Sequence, residues 1–162
     1  MKTKDIESAI FKHWVGKQKK AIIPNVSWGF HIHECDLLVV EKDLSITEVE
    51  IKVSKSDLKA DQKKWHGHNS SRITRLYFAI PEYLFNDECI SFIPSHAGIL
   101  VIKEVVSIGK RFLVVENKRK PLKNKSNYKA TIKDLHTLLY LQTYRLNKYH
   151  DNLIKDKQLK LI

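Results

Sequence analysis

The chain has 162 residues, of which 29 are Lys or Arg and 18 are Asp or Glu, giving a formal net charge of +11. That length and a hydrophobic share of 43% suit one domain with a single core, undivided by any Gly- or Ser-rich linker. The absence of a long apolar run or a signal peptide argues against a helical membrane protein and for a soluble cytoplasmic one, and the basic balance favours a phosphate-rich partner.

Asp5 to Val15 is expected to be a helix, because Ile6, Ala9, Ile10, His13 and Trp14 recur at helical spacing. A short strand is expected at Ala21 to Pro24, a turn at Asn25 to Gly29, and strands near residues 33 to 41 and 45 to 53. The run Leu37 to Val40 is apolar at every position and reads as a central strand covered on both sides. Glu41 to Ser45 is short and polar enough to close a hairpin, which would bring Asp36 near Glu50. In Thr47 to Val53 the alternation puts Glu48, Glu50 and Lys52 on one face and Val49, Ile51 and Val53 on the other. Two carboxylates close together in a partly buried place are costly to ionise unless a cation sits between them, and oxygen ligands suit Mg²⁺ or Mn²⁺. Lys52 would then reach a scissile phosphate or the attacking water. The plainer alternative is a solvated strand face with a cross-strand ion pair.

Ser56 offers an N-cap for a helix running to about His66. Asp57, Asp61 and Lys64 fall at i, i+4 and i+7, so this supporting helix could turn a polar side to the acidic centre while Leu58 and Trp65 pack elsewhere. Salt bridging within the helix is the other reading. Ile73 to Ile80 reads as a strand closed by Pro81, and residues 98 to 103 and 111 to 115 as two more around Gly109. Residues 118 to 133 hold seven basic side chains and no acidic one, broken by Pro121, Asn124, Ser126 and Asn127. Lys118, Arg119, Lys120, Lys123 and Lys125 could track a nucleic-acid backbone with Tyr128 stacking on a base, or the segment could be a solvated connector. A last helix, Ile132 to about Tyr149, carries Leu135, Leu138, Leu139, Gln142 and Leu146 along one side, leucines that read as core.

The ordered set of Asp36, Glu50-Ile51-Lys52, the SDLKAD segment, the YFAIP strand and the AGILV strand resembles the MmcB-like DNA-repair family of the PD-(D/E)XK nuclease superfamily. The resemblance covers roughly residues 5 to 115. It implies an α/β fold with a restriction-endonuclease-like αβββαβ core, a mixed sheet flanked by helices. It further implies a Mg²⁺- or Mn²⁺-dependent nuclease acting on DNA, RNA not being excluded, in repair or processing. On that likeness Asp36, Glu50 and the Ile51 backbone carbonyl hold the ion and Lys52 is catalytic. Glu7 would be the extra acidic ligand that some superfamily members draw from the first helix, or else an ordinary first-turn Glu favoured by the helix dipole. The chain departs from the pattern at Cys35, the nominal proline position, and at His33 and Glu34, where the family often has two arginines. A binding module that keeps the fold without cleaving, or a subunit that needs a partner, are the rival readings.

The pairs His31/His33 and His66/His68 raise zinc as rival chemistry, but no third ligand has a typical spacing, and His31 and His33 are expected to line the cleft or lie at its rim. Cys35 and Cys89 fit no metal spacing and are expected to be free thiols.

Overall fold

The structure, a computed structural model, describes residues 1–18, 20–26, 29–64, 68 and 70–159. The elements run α1 (Thr3–Gln18), β1 (Ala21–Val26), β2 (Cys35–Val40), β3 (Ile46–Ile51), α2 (Lys55–Asp61), β4 (Arg75–Pro81), α3 (Asp87–Ile90), β5 (Gly98–Ser107), β6 (Lys110–Arg119) and α4 (Ile132–Leu159). The strands form one six-stranded sheet in chain order, β1-β2-β3-β4-β5-β6. β1, β2 and β3 are antiparallel, β3, β4 and β5 are parallel, and β6 returns antiparallel to β5. α2 supplies the crossover that a parallel β3–β4 pair requires. Pro24 lies on edge strand β1, where a missing N–H is tolerated.

Alternation gives the sheet two unlike faces. On one, Leu37, Val39, Val49, Ile51, Ala79, Leu100 and Ile102 form a continuous core with Ile6, Ala9, Ile10 and Trp14 of α1. The opposite face holds two separate apolar clusters. One joins Ile23, Leu38, Val40 and Ile46 to Leu138 and Leu141 of α4. The other joins Phe78, Ile80, Ile99 and Val101 to Leu58 of α2 and to Leu84, Cys89 and Ile93. Charged side chains fill the seam between them.

Several boundaries and roles differ from the sequence expectation. The N-cap of α2 is Ser54, whose Oγ accepts the Asp57 N–H at 3.2 Å, while Ser56 lies inside the helix with its hydroxyl 2.9 Å from that of Ser54. The α2 helix ends at Asp61 instead of near His66, since tight turns from Lys63 to Ala60 and from Lys64 to Asp61 close it. Trp65 and His66 lie outside the described residues, as do Ser27 and Trp28 of the expected turn. On α4 the buried leucines are Leu138 and Leu141, three apart; Leu139 and Leu146 are exposed. The helix lies over the edge of the sheet at β1, so a narrow stripe suffices to cover it. Both cysteines are free and buried.

Candidate functional site

β3 supplies Glu48 and Glu50 to the seam, with Lys52 just past its end, and all three are buried. The solvated face that alternation also allowed is therefore not what forms. Continuing the β2–β3 register one step beyond Leu37 and Val49 sets Asp36 opposite Glu50. Asp36 Oδ2 accepts the Ile51 N–H at 2.7 Å. α2 is two turns long, and its buried residues Leu58 and Asp61 share one side, so the leucine enters the apolar cluster as Asp61 enters the seam. Asp57 stays in the first turn, near the cap.

Two acids and two lysines close a ring. Lys52 Nζ lies 2.7 Å from Glu50 Oε2 and 2.8 Å from Asp61 Oδ1. Lys64 Nζ lies 3.1 Å and 2.8 Å from the same two atoms. His68 extends the chain of contacts, with Nε2 2.7 Å from Asp61 Oδ2 and Nδ1 2.7 Å from Glu48 Oε1. His33 Nε2 reaches that same Glu48 oxygen at 2.7 Å. The His68 ring meets the edges of His33 and Phe78, at 5.3 Å and 5.7 Å between centroids.

Burial and charge set the protonation states. Burial pushes the Asp36 carboxyl up to about 6, and the neighbouring Glu50 charge pushes the same way, against the Ile51 N–H and the two lysines. Burial alone would lower the Lys52 ammonium, yet Glu50 and Asp61 outweigh it and hold it above the ordinary lysine range. For His68 burial also acts downward, but the bonds to Asp61 and Glu48 raise it to about 9, so it is an imidazolium at neutral pH. Asp61 is held well below the carboxylate range by His68, Lys52 and Lys64 in spite of its burial. Glu48 is likewise lowered, burial notwithstanding, by His33 and His68.

Glu50 Oε1 and Glu48 Oε2 are buried and have no hydrogen-bond partner among the described residues. A buried carboxylate oxygen of this kind is costly unless a cation or water meets it. Asp36, Glu50 and the Ile51 carbonyl are oxygen donors suited to a hard divalent ion, and the orphaned Glu50 oxygen fits such a group. Two further sets, His33 with Glu48 and His68, and Glu50 with Asp61 and His68, have ligand-type atoms within 4.8 Å of one another.

The remaining expected site residues are placed elsewhere. Glu7 sits on α1, which packs on the opposite face, and the charges acting on it are Lys4 and Arg145. The segment after β6 runs along the far end of the sheet from Lys52, tied by Leu122 to His96, Asn124 to Thr74 and Ala130 to Leu44. Arg119 is consumed internally, donating to the carbonyls of Ala97 and Pro94 at 2.7 Å each. Tyr128 is half-buried against Phe30, with Arg72 over its ring and its hydroxyl donating to Asp134. That ring is therefore not open to a base. Lys118 pairs with Glu116 at 2.7 Å, whereas Lys120, Lys123 and Lys125 are exposed. Sequence reasoning passed over Glu48 as a site residue, put His33 at the cleft or its rim and gave His68 no part beyond the zinc alternative, because the two histidines lie 15 and 20 residues from Glu48 in the chain. The one available signal was the second acid on the charged face of β3.

A mixed sheet with this strand order, flanked by helices and carrying an acid–lysine centre at the β2–β3 pair, is an α/β fold with a restriction-endonuclease-like core. The model of the family described as DNA repair protein MmcB-like matches residues 9–148, and the chain belongs to that family. Among solved structures it is similar to a protein of unknown function from Silicibacter pomeroyi, with a TM-score of 0.63 and 14% identity over 98% of this chain and 94% of the other. At that identity the likeness speaks for the fold alone. No curated protein matches the sequence. Among the described residues no helix is long and apolar enough to cross a membrane.

Proposed function

We propose that the protein is a divalent-metal-dependent nuclease that hydrolyses DNA phosphodiester bonds in repair or processing. The observation that carries this reading is the placement of half-buried Asp36 opposite buried Glu50, whose Oε1 lacks a partner among the described residues, beside the fixed cation of Lys52. Membership of a DNA-repair family supports a DNA-related role. Mg²⁺ or Mn²⁺ held by Asp36, Glu50 and the Ile51 carbonyl would polarise the phosphate and make bound water nucleophilic. Lys52 stays protonated, so its part is to donate to a phosphate oxygen or orient water, and not to accept a proton. Asp61 restrains Lys52 on one side as Glu50 does on the other, which fixes the direction of the ammonium. Lys64 is about one third exposed and can exchange its carboxylate partners for a phosphate at the mouth of the seam.

Plasmid and single-stranded DNA incubated with Mg²⁺, Mn²⁺ or EDTA, read on a gel, test the proposal. Cleavage should need the metal. It should vanish in Asp36→Ala and Glu50→Ala and fall ~10²- to 10⁴-fold in Lys52→Ala, whose metal binding persists. Wild-type protein that cuts nothing with any divalent ion, or variants that cut like it, would end the reading.

One observation favours a second reading, a DNA-binding module without catalysis. Lys52 and Lys64 both occupy Glu50 Oε2, so the acids are neutralised from within the chain. Metal-independent DNA retention with no cleavage identifies that case.

A further inference from the structure

β5 and β6 outrun the rest of the sheet. β4 ends at Pro81, paired with Ile102, while β5 continues to Ser107 and β6 begins at Lys110. Five residues at roughly 3.3 Å each make an arm about 17 Å long. The parallel register places it at the end of the sheet where Lys52 lies, because Ile51, Ala79 and Leu100 stand side by side. Glu50, Phe78 and Ile99 are likewise aligned, so alternation along β5 puts Lys103 and Val105 on the face that carries the acidic centre. Their cross-strand partners Val114 and Phe112 share that face. Tyr83, 60% exposed, bonds the carbonyl of Val53, the residue after Lys52, at 2.7 Å, and its neighbour Glu82 pairs with Lys103 of the arm at 3.2 Å.

The arm's surface is at odds with a purely structural hairpin. Val105, Val106, Phe112 and Val114 are all exposed, and Ile108 at the tip is 98% exposed. Ile108 and Gly109 form a two-residue turn in which both φ angles are positive, +50° and +69°. Asn-Gly is the unstrained choice there, and a β-branched residue at positive φ costs stability. A side chain that is both strained and solvated gains nothing for the fold. Lys110 and Arg111 flank it.

We propose that the β5–β6 arm is a duplex-DNA probe: a two-stranded ribbon that enters a groove, sets Lys110 and Arg111 against phosphates and presses Ile108 on the base pairs as an apolar wedge. Two-stranded ribbons enter the major or the minor groove, and from the minor groove Ile is among the side chains used as wedges between base steps. The arm's length is close to the thickness of a duplex, so it would hold DNA whose phosphate lies at Lys52. The inference rests on the proposed nuclease reading for its substrate, but its test does not require cleavage.

Binding of the full-length protein to a fluorescent 30-base-pair duplex and to one of its strands is measured in EDTA across a salt series, beside thermal melting. Ile108→Gly should weaken duplex binding about tenfold, the scale of a lost base contact, and should leave melting unchanged or higher, since glycine accepts the positive φ. Phe112→Ser should also weaken it, and Lys110→Gln with Arg111→Gln should lower the salt slope by about 1.8. Duplex affinity and slope unchanged in all the variants would overturn the proposal. So would a loss confined to single strands, or a change in oligomeric state with DNA binding intact. Duplex binding that depends on the arm, in a protein that cuts nothing, would keep this inference and end the nuclease reading; cleavage and binding indifferent to the arm would do the reverse.

Discussion

Asp36 carries the most informative charge in the seam. Its carboxyl is raised to about 6 by burial and by Glu50, so the folded state holds a proton that the unfolded chain has already lost. Stability therefore falls as pH rises from the ordinary carboxylate range through about 6, and Asp36→Asn should raise the melting temperature at pH 7.5. A divalent ion competes with that proton. Mn²⁺ affinity, followed by titration from pH 5 to 8, should climb through about 6 and then level off, and Asp36→Asn should flatten the profile; a flat wild-type profile would count against Asp36 as a ligand. His68 works in the same direction at higher pH, although here it is the charged form that the fold favours. Raised to about 9, it stabilises the fold fully below its ordinary value of 6.5, and that contribution is lost as pH passes 9. His68→Gln should cost about 3–5 kcal/mol in denaturant unfolding at pH 7, because Glu48 and Asp61 lose a buried partner. The gap from wild type should narrow by pH 10, and a gap that does not change would show that packing against Phe78 matters more than charge.

At the level of elements, the basic run that begins at the end of β6 separates into two kinds of residue. Lys120, Lys123 and Lys125 are exposed, and replacing the three by Gln should lower the log–log salt slope of DNA binding by up to about 2.7 without changing the melting temperature. Arg119→Gln should instead lower the melting temperature, since it strips two carbonyls of their donors. Sequence pattern could not tell these residues apart, because the bonds of Arg119 go to carbonyls 22 and 25 residues away. Strand faces were legible, because alternation in residues 47–53 separates the charged from the apolar side without any tertiary information. That the charged side is buried was not legible, since it depends on α2 and His68 folding across β3. The leucines of α4 misled for a related reason: which part of a stripe is covered depends on how far a helix overhangs the sheet.

For the molecule as a whole, the sheet is sealed on one face by a continuous core and split on the other by interlocked charges. Each of Glu48, Glu50 and Asp61 is shared by at least two basic groups, and Lys52, Lys64 and His68 each serve two acids. Such a lattice makes the effect of one change depend on what the others already are. Losing His68 alone takes a partner from two carboxylates, but losing it in a chain whose Glu48 is already Gln takes one from Asp61 only. A double-mutant cycle on Glu48→Gln and His68→Gln should accordingly be far from additive, with a coupling of about 1–3 kcal/mol, whereas pairing His68→Gln with a distant change on α1 should be additive. The seam thus imposes an order on mutation: its members can be exchanged in concert or by way of a weakened intermediate, and the history of the chain constrains which of its acids can be given up first.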